Sequence, residues 1–185
     1  MTDVLREREK TSDDAGAPSG KKEITADRYL SSEILHKEWE YLWPRTWLYA
    51  GVASDVSEPG EYFVFNIGPE SILVSHTDEG EIAAFYNACQ HRGNQLVTAE
   101  VGTLAGGEFQ CAYHGWRFDT TGECTWAYDE DDFPQGSPCG KLNLVEIPCE
   151  TWAGFIWFNM DPQASDLRDW LSPVTEHLGS YRMED

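Results

Sequence analysis

Short apolar runs, broken at regular intervals by turn residues, dominate the middle of the chain. After Gly51, the triplet Glu58-Pro59-Gly60 precedes EYFVFNIG, Gly68-Pro69-Glu70 precedes SILVSH, and Asp78-Glu79-Gly80 precedes EIAAFYNAC. Each run is rich in Val, Ile, Phe and Tyr, which fit a pleated, half-buried surface, and each interruption carries the chemistry of a β-turn. A later run, GWRFD, is followed by Thr120-Thr121-Gly122, and further strands are predicted over Leu142–Ile147 and Trp152–Phe158. Closely spaced short strands with no helices between them predict a mostly β fold, an antiparallel sandwich or barrel.

The flanks follow another period. Residues 1–22 are polar, with almost nothing to bury, and are expected to be a disordered tail. Within 23–46 the segment EILHKEWEYLW brings Ile34, Leu35, Trp39, Leu42 and Trp43 near one face of a helix. Ser31 or Ser32 would cap that helix and Pro44 would end it. Past Asp161 the pattern is helical again, through ASDLRDWL, Pro173 and VTEHLGSY. No internal repeat is evident. The expected division is a tail over 1–22, a helical flank over 23–46, a β domain over 47–160 and the start of a truncated further domain over 161–185.

Composition adds limits. A hydrophobic fraction of 41% supports a packed core, and eight Trp favour an aromatic-rich β interior. No apolar run approaches the roughly 18 residues of a membrane span, and the first residues lack the apolar region of a secretory signal, so a cytoplasmic address is expected. A net charge of −20 opposes nucleic acid and anionic membrane as partners. The acidic run Asp129-Glu130-Asp131-Asp132 reads as a solvated loop. Five cysteines, an odd number without an export signal, suit metal binding or buried thiols better than a disulfide framework.

Two of those cysteines stand beside histidines. Cys89-Gln90-His91-Arg92-Gly93 is followed by Cys111-Ala112-Tyr113-His114-Gly115-Trp116, each in a turn after a strand. Two such turns at one end of a sheet can bring four donors to one inorganic core. On a [2Fe–2S] cluster, two thiolates on one iron and two imidazoles on the other raise the potential to roughly −150 to +300 mV, against about −400 mV for a plant-type cluster. The outer histidine nitrogens would then be free to couple proton release to oxidation. A Cys2His2 zinc site uses the same donor types and is the competing reading, although zinc sites usually space their ligands as C-x(2–4)-C and H-x(3–5)-H.

From about Ile24 to its end the chain resembles the large (α) subunits of Rieske non-heme iron oxygenases of the aromatic-ring-hydroxylating dioxygenase type. The likeness is carried by WLYAGVASDVSEPGEY, FYNACQHRGNQL, CAYHGWRFDTTGEC and GFIWFNMDP. It implies a Rieske β domain whose helical flanks belong to an absent catalytic domain. It also implies that Cys89 and Cys111 ligate one iron of a [2Fe–2S] cluster, that His91 and His114 ligate the other, and that Trp116 packs beside the cluster and limits its contact with water. One departure is visible: AEVGTLAGGE forms an extended loop between the ligand turns. The extra cysteine that cytochrome bc-type Rieske proteins carry in each ligand loop, forming a disulfide, has no counterpart near Gly93 or Ala112, which favours the oxygenase or ferredoxin class.

The same resemblance implies an electron donor, a ferredoxin or reductase, and an electron exit through His114 toward a neighbouring α subunit in a trimer. The mononuclear non-heme Fe(II) that uses O2 to hydroxylate an aromatic or similar substrate is expected only in the missing domain. His36, His76 and His177 are not spaced to build such a site and read as surface, strand-end and helix residues. Arg92 reads as a structural cation near the cluster, and Cys124, Cys139 and Cys149 as buried or incidental thiols. Trp39, Trp43 and Trp170 would either meet the absent domain or close a small local core. The alternatives are a stand-alone Rieske ferredoxin, against which the helical flanks count, and a zinc-bound structural module.

Overall fold

The computed structural model describes residues 25–104, 106–181 and 183; the expected polar tail over 1–22 lies outside them. The chain divides into two compact units, Met1–His36 and Lys37–Asp185. Helix α1 (Asp27–Leu30) precedes α2 (Ser32–Tyr41), and Pro44 sits within a 3-10 turn, Trp43–Arg45, that ends the helical stretch. The predicted apolar stripe is only partly covered. Trp39 and Trp43 are half-buried, with Trp39 packed against the second core described below, whereas Leu35 and Leu42 are exposed.

Eleven short strands follow among the described residues: β1 (Leu48–Val52), β2 (Glu61–Ile67), β3 (Glu70–His76), β4 (Ile82–Tyr86), β5 (Val101–Thr103) and β6 (Glu108–Gln110), then β7 (Arg117–Asp119), β8 (Cys124–Trp126), β9 (Glu146–Ile147), β10 (Cys149–Trp152) and β11 (Phe155–Phe158). They form three sheets, ordered β1-β11-β10, β5-β2-β3-β4-β9 and β6-β7-β8, and every strand pair is antiparallel. The expected mostly β, antiparallel architecture is what the chain adopts. Two short helices close it, α3 (Leu167–Trp170), whose first turn is capped by the Asp166 side chain accepting from the Arg168 N–H at 2.9 Å, and α4 (Val174–Leu178). Among the described residues no helix is long and apolar enough to cross a membrane.

The five-stranded sheet lies between two cores, which explains why Ile72, Leu73 and Val74 are apolar in succession rather than alternating with polar residues. Along β3, Ile72 and Val74 join one core with Phe63, Ala84, Ile156 and Phe158, toward the β1-β11-β10 sheet. Leu73 points the other way and joins Phe85, Phe109, Trp116 and Phe118, toward the β6-β7-β8 sheet. Strand alternation thus sends neighbouring residues into different cores.

Three expectations need correction. The strand predicted over Trp152–Phe158 is a hairpin, because Ala153 and Gly154 take φ of 53° and 79° and turn the chain so that Trp152 pairs with Phe155. The strand predicted over Leu142–Ile147 shrinks to Glu146–Ile147, since the Leu142 N–H is taken by the Pro138 carbonyl and the Leu144 N–H by the Gly122 carbonyl. AEVGTLAGGE is not a plain extended loop: Val101–Thr103 forms β5 and pairs with Glu61–Phe63 of β2. Strand β1, which runs through Gly51, was not predicted.

Candidate metal centre

Strand β4 feeds the first Cys-His turn and β6 feeds the second. The two turns are closed in the same way. Cys89 accepts the Gly93 N–H at 2.9 Å and donates its own N–H to the Asn94 carbonyl at 2.8 Å. Cys111 accepts the Gly115 N–H at 3.0 Å and donates to the Trp116 carbonyl at 2.8 Å. Both closing glycines lie in the left-handed region, φ 69° at Gly93 and 72° at Gly115, which disfavours any residue with a Cβ. The signal for this equivalence was in the sequence, as a Cys followed four residues later by Gly in each motif, but the motif reading passed over it.

The turns present their side chains as two pairs. Cys89 and Cys111 are sunk into the core at 2% and 3% exposure, while His91 and His114 are half-buried toward the surface. The imidazoles lie 4.6 Å apart, nearly edge-on at 68°. The Trp116 indole, fully buried, stacks on His91 at 4.8 Å with 4° between planes, and Phe133 meets its edge at 5.9 Å. Tyr113 leans on the His114 ring at 3.7 Å. Asn94, which the sequence reading had not singled out, directs its side-chain N–H toward the Cys111 sulfur at 3.8 Å.

One atom here lacks a partner. His91 Nδ1 is buried and makes no hydrogen bond, and a buried ring nitrogen left unsatisfied costs roughly 1–3 kcal/mol. Burial holds the His91 pKa below its ordinary value, helped by the neighbouring His114 and Arg92. Burial likewise pushes the Cys89 thiol up to about 11, and contact with Cys111 adds to that shift against backbone N–H groups of His91 and Arg92. The histidine is therefore held neutral, as a metal ligand must be, and the cysteine would need a cationic centre to become thiolate. The residues fit a cluster with a thiol pair on its inner side and an imidazole pair on its outer side. Among the described residues no three or more His, Cys, Asp or Glu surround one point as a single metal ion would require.

Other candidates fall elsewhere. Arg92 is exposed. His76 ends β3 and bonds the Val56 carbonyl through Nδ1 at 2.9 Å, and His177 lies on α4 against the Pro173 carbonyl. His36 is exposed on α2, and Trp170 is 46% exposed. Cys149 is half-buried and its thiol is pushed up to about 12 by burial, with Glu146 and Glu150 adding to the effect.

Residues 46–138 match the family described as Rieske [2Fe-2S] domain. The chain is 30% identical over 168 residues to the 2-halobenzoate 1,2-dioxygenase large subunit of Burkholderia cepacia, covering 89% of this chain and 34% of that protein. Its structure is similar to naphthalene 1,2-dioxygenase from Rhodococcus sp. bound to indole, with a TM-score of 0.73, 30% identity, and coverage of 79% of this chain and 33% of that one. It is also similar to a quaternary ammonium Rieske monooxygenase described for carnitine oxidation by gut microbiota and inter-subunit electron transfer, with a TM-score of 0.76, 27% identity, and coverage of 83% and 41%. The chain spans about a third of the length of the curated relatives it matches.

Proposed function

The chain belongs to the Rieske [2Fe–2S] domain family, and we propose that Cys89 and Cys111 hold one iron of its cluster and His91 and His114 the other. The observation that carries this ligand set is the buried, partnerless Nδ1 of His91, set beside a second imidazole and outside a buried pair of cysteines. When bound, a [2Fe–2S] centre of this ligation supplies reversible one-electron uptake at a comparatively high potential. Trp116 covers one face of His91 and keeps water from it, while the Asn94 N–H offsets negative charge on the Cys111 sulfur. His114, half-exposed beside Tyr113, is the edge through which an electron would leave.

We further propose that this domain serves as the N-terminal electron-transfer part of an oxygenase large subunit, with residues 161–185 leading into a catalytic domain. In this reading a ferredoxin or reductase delivers the electron, and a neighbouring α subunit, in a trimer, receives it. Hydroxylation of an aromatic or similar organic substrate with O2 would belong to a mononuclear iron site outside this chain, so the chain alone would not oxygenate. The similarity to large oxygenase subunits over most of its length supports the placement. Analysis of iron, acid-labile sulfide and zinc in the purified protein tests the cluster. Two irons and two sulfides per chain support the reading, whereas stoichiometric zinc without sulfide would replace it with a structural module. An H-x(4)-H motif encoded after Asp185 would support the oxygenase placement, and its absence would favour a stand-alone Rieske ferredoxin.

A further inference from the structure

A second pair of thiols stands in the same core as the ligand cysteines but takes no part in the proposed ligation. Cys124, on β8 and 1% exposed, has its sulfur 3.8 Å from that of Cys139, fifteen residues along the chain. The two segments are already tied together at this point, since the Gly140 N–H bonds the Cys124 carbonyl at 3.2 Å. Cys139 is half-buried, and its sulfur lies 3.5 Å from Glu130 Oε2, which also accepts the Ser137 hydroxyl at 2.9 Å. Ser137 in turn accepts the Cys139 N–H at 3.2 Å. Thiol, thiol and carboxylate thus form one hydrogen-bonded chain that runs outward from the core.

We propose that Cys124 and Cys139 are a reversible redox pair, oxidised to an intrachain disulfide by a peroxide-class oxidant with Glu130 as proton acceptor. Sulfurs in contact at 3.8 Å need a modest side-chain rotation to reach the roughly 2.05 Å of a disulfide, and the neighbouring backbone bond removes the need for a loop to travel. The half-buried Cys139 meets the oxidant first, because burial and the contact with Cys139 push the Cys124 thiol up to about 12. Glu130 takes the Cys139 proton as that sulfur attacks a peroxide oxygen. The O–O bond breaks, and the departing hydroxide recovers the proton as water, leaving a sulfenic acid. The Cys124 sulfur then attacks the Cys139 sulfur, the S–O bond breaks, and a second water leaves with the Cys124 proton. Two thiols and one peroxide become one disulfide and two waters, and a dithiol reductant reverses the change. The closed segment includes the acidic turn Glu130–Asp132 and Phe133, whose ring rests on Trp116, so oxidation would fix the loop over the indole that stacks on His91.

The test treats cluster-loaded protein with equimolar hydrogen peroxide, alkylates it, and maps the unreduced peptides by mass spectrometry. The expected result is a cross-link between the peptides holding Cys124 and Cys139, lost on dithiol reduction and absent from Cys139→Ser, with cluster absorbance retained. Glu130→Gln should slow its appearance several-fold. Cleavage at the Glu130–Asp132 turn by a glutamate-specific protease should fall on the order of tenfold after oxidation in wild type and not in Cys139→Ser. Cys124 and Cys139 both recovered alkylated after treatment, overoxidised Cys139 without a cross-link, or a cross-link formed instead between Cys89 and Cys111 would each overturn the proposal.

Discussion

Replacing Trp116 tests how the fold supports the centre. The indole is 1% exposed, stacks on His91 at 4.8 Å and takes Phe133 on its edge at 5.9 Å. Truncation to Ala removes a buried aromatic side chain and leaves a cavity among Cys89, Phe109, Cys111 and Phe118, which do not collapse freely because short strands and two hydrogen-bonded turns hold them. Such a change costs about 3–5 kcal/mol. In a chain of 185 residues, each kcal/mol lowers Tm by about 2–4 °C, so the expected loss is roughly 6–20 °C. Trp116→Phe keeps a ring over His91 and leaves a smaller void, and should cost about 1–2 kcal/mol. The assay is thermal unfolding of the cluster-loaded proteins, followed by far-UV circular dichroism and by cluster absorbance. In Trp116→Ala the cluster absorbance should fade before the fold melts, because His91 has lost the surface that orients it. A Trp116→Ala protein melting within about 2 °C of wild type, or one indistinguishable from Trp116→Phe, would refute the reasoning.

Three further outcomes follow from single contacts. Gly93→Ala and Gly115→Ala should each cost about 1–2 kcal/mol in urea unfolding by a purely conformational route, since a Cβ at Gly93 meets open space and one at Gly115 meets only ordinary contacts at 3.5 Å and beyond; a neutral result at either would show that the turn does not hold that left-handed geometry. Asn94→Ala removes the N–H beside the Cys111 sulfur and should lower the reduction potential, which hydrogen bonds to the cluster sulfurs help to set, as read by redox titration. Glu61 accepts the Glu58 N–H at 2.9 Å and the Ser57 hydroxyl, and the backbone bond holds its carboxyl below the ordinary 4.5. The unfolded chain therefore binds a proton more readily, so stability present above pH 4.5 is lost as pH falls through the lower folded value. Glu61→Gln should flatten that acid limb of the unfolding curve by lowering stability in the neutral region while leaving the most acid end unchanged.

What could be read from the sequence was whatever local chemistry decides. Glycine-bearing triplets marked the ends of β2, β3 and β4 because those turns need the left-handed conformations that Gly60 and Gly80 adopt. The ligand motifs stood out because their spacing is local. What failed depended on partners distant in the chain. Val101–Thr103 is a strand only because β2 offers it an edge, and Leu142–Val145 is not one because Pro138 and Gly122 claim its N–H groups. Ala153 hid a hairpin, since an alanine with φ of 53° has no sequence signature. The Cys124–Cys139 contact and the Asn94–Cys111 contact are made across turns, so neither was visible as a motif.

The central claim is the ligand set, and nitrogen coupling in the electron paramagnetic resonance of the reduced protein tests it most directly, with wild type beside His114→Cys. Two inequivalent histidine nitrogens coupled to the reduced centre are predicted in wild type, with one lost in the variant and the other, from His91, retained. A reduced signal without nitrogen coupling, or one that His114→Cys leaves unchanged, would contradict the assignment.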